Sequence, residues 1–131
     1  FEPYVVAEIP NVYSSLDQIT EKFDGIFSNN VIEHFLTPRD EFQTFARLLN
    51  SRGKMVHASP CYVWSYAYTR FHVLFLLGRS PEVLAARTGF KVTGRGGVGQ
   101  YISLQFQLQP LRQPPSLQQF QARQFPCFQT T

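Results

Sequence analysis

The sequence predicts an α/β fold, an open sheet with helices on its faces, and three stretches predict it. Phe23-Asp24-Gly25-Ile26-Phe27-Ser28 is an apolar run too short for a helix. Broken only by Asp24 near its start, it reads as a strand covered on both faces. Thr37-Pro38 then spells a helix cap followed by a first-turn proline, and Phe42, Phe45, Ala46, Leu48 and Leu49 recur at helical spacing. Gly53-Lys54-Met55-Val56-His57-Ala58-Ser59-Pro60 reads as a second strand, ended by Pro60, which has no N–H for the ladder. A strand, a helix and a strand in succession make a right-handed crossover the default. In sheets so built, ligands sit at the carboxyl ends of the strands.

Composition narrows the classes. A chain of 131 residues is near the size of one domain, so one core is expected. Its 13 Phe are spread along the chain, which argues against a repeat array. The net charge of +3 is mild, and the basic residues are scattered without a Lys/Arg block, so nucleic acid is disfavoured as a partner. Cys61 and Cys127 make no disulfide framework, and no second Cys/His pair gives zinc spacing, so no metal set is read. A reduced cytoplasmic setting is the simplest fit. The longest apolar run, around Val73–Leu77, is far below the roughly 18–20 residues of a membrane span. No signal-peptide pattern opens the chain, which starts at Phe1-Glu2-Pro3 as if cut from something longer.

The remaining elements follow in order. Tyr4 to Ala7 suits a short helix or strand. Asn11-Val12-Tyr13-Ser14, after the turn signal Pro10-Asn11, predicts a short edge strand, and Ser14 or Ser15 is placed to cap a helical turn. Ser28-Asn29-Asn30 are small polar residues that tolerate unusual backbone angles; they suit a ligand-binding turn or a cap for the next helix. Asp40 and Glu41 fall in the first turn of the Thr37-Pro38 helix, where the dipole favours acids. Arg47 and Arg52 flank its far end, and Gly53 is its expected stop. Between Cys61 and Leu77, Tyr62, Trp64, Tyr66 and Tyr68 alternate before Arg70, Phe71 and His72. In an extended chain those rings share one face, as a lid over a ligand or as packing against the sheet edge.

Ser80-Pro81-Glu82 again spells a helix start, and Gly89 its end. Phe90 begins a strand. Gly94-Arg95-Gly96-Gly97-Val98-Gly99 matches G-x-G-x-x-G by letter, but a nucleotide site needs a helix directly after it. Gln100 to Gln107 alternates instead, so the glycines belong to a hairpin. Gln109 to Thr131 turns to Gln and Pro without a period, which predicts a disordered C-terminal tail. The expected organisation is a domain over 1–108 and a tail over 109–131.

The words FDGIFSNNVIEH, LLNSRGKMVHASP and SPEVLAARTGF, in this order, resemble a Rossmann-like (class I) S-adenosylmethionine (SAM) methyltransferase. The resemblance runs from about Glu2 to Phe106 and is densest over Phe23–Pro60 and Ser80–Phe90. It implies a mostly parallel sheet, truncated at the N-terminus, because the family's first strand and glycine-rich turn are missing before Glu2. What remains would be the fourth, fifth, seventh and sixth strands, with Phe23–Ser28 as a raw edge.

The resemblance also assigns roles. Glu2 would hold the ribose hydroxyls, since a carboxylate accepts two hydrogen bonds from a diol. Leu16 would pack the adenine, with Asp17 beside it, and Ser28, Asn29 and Asn30 would line the cofactor. Glu33-His34 repeats the family's EH pair, and His34 and His72 are the candidate catalytic bases, with His57 inside a strand. Apart from the resemblance, the rings of Tyr62 and Trp64 and the charge of Arg70 suit contact with the methyl acceptor, a small molecule or another acceptor that the sequence does not name. The expected activity is SAM-dependent methyl transfer, with the isolated chain inactive. The alternative is a non-catalytic interaction protein that keeps a remnant of the fold; RNA binding through Tyr62, Trp64, Tyr66 and Arg70 is a weaker third reading.

Overall fold

A computed structural model of the protein describes residues 10–60, 70–98 and 101–110. Strand β1 spans Phe23–Asn29, helix α1 Pro38–Leu48, and strand β2 Leu49–Pro60. Helix α2 spans Ser80–Thr88, followed by strands β3, Phe90–Val98, and β4, Tyr101–Leu108. Short 3₁₀ turns cover Leu16–Gln18 and Ile32–His34.

The four strands form one open sheet in the order β1-β2-β4-β3. β1 runs parallel to β2, as the crossover requires, while β2–β4 and β3–β4 pair antiparallel. This is the order that the resemblance implies for the fourth, fifth, seventh and sixth strands. β1 stands at the sheet edge among the described strands, and Phe27 on it is 72% exposed. The expectation of a β1 covered on both faces does not hold for the described residues: Ile26 and Ser28 turn to the core, while Phe23, Gly25 and Phe27 on the opposite face are exposed.

Local chemistry accounts for most element boundaries. Pro38 sits in the first turn of α1, and Asp40 and Glu41 follow it there. Thr37 caps with its backbone: its carbonyl accepts the N–H groups of Asp40 and Glu41, at 2.9 and 3.2 Å, and its side chain makes no cap bond. Gly89 ends α2 in the left-handed region at φ 82°, which suits a residue without Cβ. The N-cap of α2 is Arg79 rather than Ser80, whose hydroxyl donates to the Leu77 carbonyl at 2.7 Å.

Two further expectations are corrected. Residues 11–14 form no strand; Asn11 takes φ 63°, and Ser14 and Ser15 donate backbone N–H bonds to the Gln18 side chain. Gly53 does not stop α1, which ends at Leu48 and passes straight into β2 through the extended Leu49. Instead the chain bulges. The register advances from Phe23↔Leu49 to Gly25↔Lys54, so two positions on β1 face five on β2. Arg52 turns at φ 64°, and Gly53 tucks under Leu49, where a Cβ would lie 2.9 Å from the Leu49 side chain and 3.0 Å from the Asn50 carbonyl.

The core lies on one face of the sheet. Phe42 and Phe45 of α1 and Ala85 of α2 join Met55, Phe90, Leu104 and Phe106 in a single buried cluster. Phe42 is its centre, with ring contacts to Phe45, His57, Phe90 and Phe106. Along β2, Met55, His57 and Ser59 are buried while Lys54 is exposed, the period-2 pattern of a strand with one covered face. Gly94, Gly96 and Gly97 lie in β3, which pairs antiparallel with β4 as a hairpin requires. Arg95 of β3 pairs with Glu82 of α2 and donates to the Gly78 carbonyl at 2.8 Å, tying the hairpin to the helix.

Candidate functional site

The chain leaves the carboxyl end of β1 through Ser28-Asn29-Asn30, at the expected place for a ligand turn. Asn30 adopts φ 54°, a left-handed angle that Asn tolerates, and its N–H donates to the Ala58 carbonyl of β2 at 2.9 Å. Asn29 and Asn30 are exposed. Ser28 points the other way: its hydroxyl is 2.7 Å from Nδ1 of His57. His57 is fully buried against Phe42, Phe45 and Phe106, and burial lowers its pKa from 6.5 to about 4. Of the three expected cofactor residues in this turn, two face solvent and one serves the core.

Leu16 and Asp17 are held elsewhere. Ser15 Oγ accepts from the Asp17 N–H at 3.3 Å, and Gln18 completes a capping box. Arg47, in the last turn of α1, donates to the carbonyls of Ile19 and Leu16 at 3.3 and 3.4 Å, and its guanidinium is 3.7 Å from Asp17. The Leu16–Gln18 turn is thereby tied to the far end of α1, whereas Asn29 and Asn30 lead into its first turn. The serine cap expected from the sequence is what the structure builds there. Glu2, Tyr62 and Trp64 lie outside the described residues, and Arg70 is exposed in a turn.

The two histidine candidates do come together. Segment 70–77 crosses the Ile32–His34 turn, and the N–H groups of Val73 and Leu74 both donate to the Glu33 carbonyl, at 2.8 and 3.0 Å. His34 Nδ1 is 2.9 Å from the Phe71 carbonyl oxygen. The rings of His34 and His72 meet edge to face with centroids 5.0 Å apart. Beneath them Glu33 is 0% exposed. Its Oε2 accepts from the Ser59 hydroxyl at 2.9 Å, and its Oε1 lies 3.9 Å from His34 Nε2. The sequence marked Glu33 only as half of a motif. Its burial was not legible, because Ser59 and the 70–77 crossing are brought to it from far along the chain.

A separate groove of about 590 Å³ lies between the first turn of α1 and α2, bordered by Arg39, Leu76, Leu84 and Arg87. None of the expected site residues among the described residues borders it.

No protein-family model matches the sequence, and no curated protein matches it significantly. Solved structures do. One is a ribosomal protein L11 methylase from Lactobacillus delbrueckii subsp. bulgaricus, 18% identical over 75% of this chain and 44% of that one, with a TM-score of 0.51. A second is the N-methyltransferase NodS from Bradyrhizobium japonicum WM9, 16% identical over 75% and 59%, at 0.54. A third is an O-methyltransferase family protein from Burkholderia thailandensis, 14% identical over 75% and 34%, at 0.52. The fold is one shared with methyltransferases. At these identities the likeness carries the fold and nothing finer. The aligned part spans less than two thirds of each of these proteins.

Proposed function

We propose that this chain is part of a SAM-dependent methyltransferase acting on an acceptor yet to be identified. The observation that carries the reading is the strand order β1-β2-β4-β3, a parallel pair followed by a reversed hairpin, with exposed Asn29 and Asn30 at the carboxyl end of β1. Polar side chains there supply donors and acceptors for a polar cofactor, which is the fit that the place requires. SAM supplies an electrophilic methyl group on a sulfonium. This chain's part is placement: Asn29 and Asn30 would hold the cofactor, with Ser28 fixing the turn from below through His57. The acceptor would meet the methyl in line, beside His34 and His72. Glu2 keeps the role that the resemblance gives it, and Tyr62, Trp64 and Arg70 the acceptor-side role read from the alternating rings, as part of this proposal.

The exposed apolar residues Phe27, Leu36 and Phe71 favour a second reading, a non-catalytic protein that uses this edge for a partner. That reading leaves Asn29 and Asn30 without a ligand. One calorimetric titration separates the two. SAM and S-adenosylhomocysteine are expected to bind the chain more weakly than micromolar, because the described residues supply few cofactor contacts, while ATP gives no heat. Equal heats for ATP, or none for SAM up to millimolar concentration, would remove the methyltransferase reading.

A further inference from the structure

Glu33, His34 and His72 each bring one donor atom to within 4.8 Å of the others. We propose that these three residues hold a divalent transition-metal ion. The set includes the two histidines that the proposed function puts beside the acceptor, but ion binding does not rest on that reading and is tested without SAM.

The orientation of His34 is the first support. The Phe71 carbonyl can only accept, so Nδ1 carries the hydrogen and Nε2 keeps a lone pair when the ring is neutral. That lone pair faces the Glu33 carboxylate at 3.9 Å. Two electron-rich atoms held face to face call for a cation between them.

Glu33 gives the second support. Its side chain is 0% exposed, yet Oε1 has no hydrogen-bond donor among the described residues. A buried carboxylate oxygen left in this state is costly, and a bound cation removes the cost. The outer contacts are those of a built site. The imidazole donates its other N–H to a backbone carbonyl, and the second carboxylate oxygen accepts from a hydroxyl, here Ser59.

Two imidazoles and one carboxylate suit zinc, cobalt, iron or manganese better than calcium or magnesium, and they leave positions for water or an oxygen ligand. A tetrahedral zinc site spaces its donors about 3.3 Å apart, so donors now within 4.8 Å of one another must draw in by up to about 1.5 Å. His34, with a side chain 43% exposed, has room to swing. With the ion bound, both histidines serve as ligands rather than proton acceptors. No spacing rule points to this set, because Glu33 and His34 are adjacent and His72 arrives only with the crossing segment.

The test uses the whole chain, treated with a chelator and then titrated with Zn(II) by calorimetry and with Co(II) by its d–d absorption. One ion per chain is expected. Ser59→Ala should weaken binding about 10-fold, and His34→Ala or His72→Ala should weaken it further. Cys61→Ser with Cys127→Ser should leave it unchanged. Because Glu33→Gln buries an amide and endangers the fold, exposed His34 carries the decision, with circular dichroism confirming its variant is folded. No uptake, uptake unchanged in His34→Ala and His72→Ala, or uptake lost with the cysteines would each overturn the proposal. So would nitrogen NMR showing a protonated His34 ring that added metal does not displace.

Discussion

His57 shows how one side chain links the sheet to the turn above it. Its ring fills a place among Phe42, Phe45 and Phe106, and its only described hydrogen-bond partner is Ser28. Burial holds the folded pKa at about 4, while the unfolded chain titrates near 6.5. Below pH 6.5 the unfolded state therefore takes up a proton that the folded state refuses. The stability from this residue is fully present above that pH and is lost as pH falls towards 4, by about 3 kcal/mol across the window. Urea unfolding at pH 7.5 and pH 4.5 measures it. His57→Phe should flatten the pH slope relative to the parent chain; an unchanged slope would place the titration elsewhere. The sequence shows a histidine inside a strand, but which face it takes depends on register. The same limit applies to Ser28. As a type, Ser suits a ligand turn, and only the pairing Ser28↔His57 turns it inward.

At the scale of elements, what the sequence made legible was punctuation. Pro38 and Gly89 mark helix ends by their own backbone chemistry, and the alternating stretch after Gly99 marks the hairpin strand; all three lie where expected. Gly53 was misread because a glycine after a helix has two uses, to end it or to let another chain segment come close. The structure uses the second. Gly53→Ala would push a Cβ against the Leu49 side chain, held by the pairing of Leu49 with Phe23, and against the Asn50 backbone, held by the Asn50 side-chain bond to Asp24. A loss of about 1–3 kcal/mol is expected in thermal or urea unfolding. An unchanged midpoint would mean that the bulge relaxes freely. Val12-Tyr13 failed as a strand for another reason. Residues with strand propensity form one only where a neighbour offers a ladder, and the capping box at Ser15 takes the local hydrogen bonds instead.

For the molecule as a whole, the sequence carried the parallel crossover from β1 to β2, because hydrophobic period and element order together restrict the topology. It did not carry the assembly of the site. His34 and His72 were named singly and come together through backbone bonds from Val73 and Leu74 to Glu33, which no local pattern announces. Leu16 and Asp17, named with Asn29 and Asn30 as one cofactor set, are tied instead to the opposite end of α1 by Arg47. The central claim is that the turn beyond β1 is where the cofactor lies. Amide NMR during titration with S-adenosylhomocysteine tests it most directly. Shifts concentrated at Asn29, Asn30 and Val31 and reduced in Asn29→Ala are predicted, and shifts confined to the β3–β4 hairpin, or absent altogether, would contradict the claim.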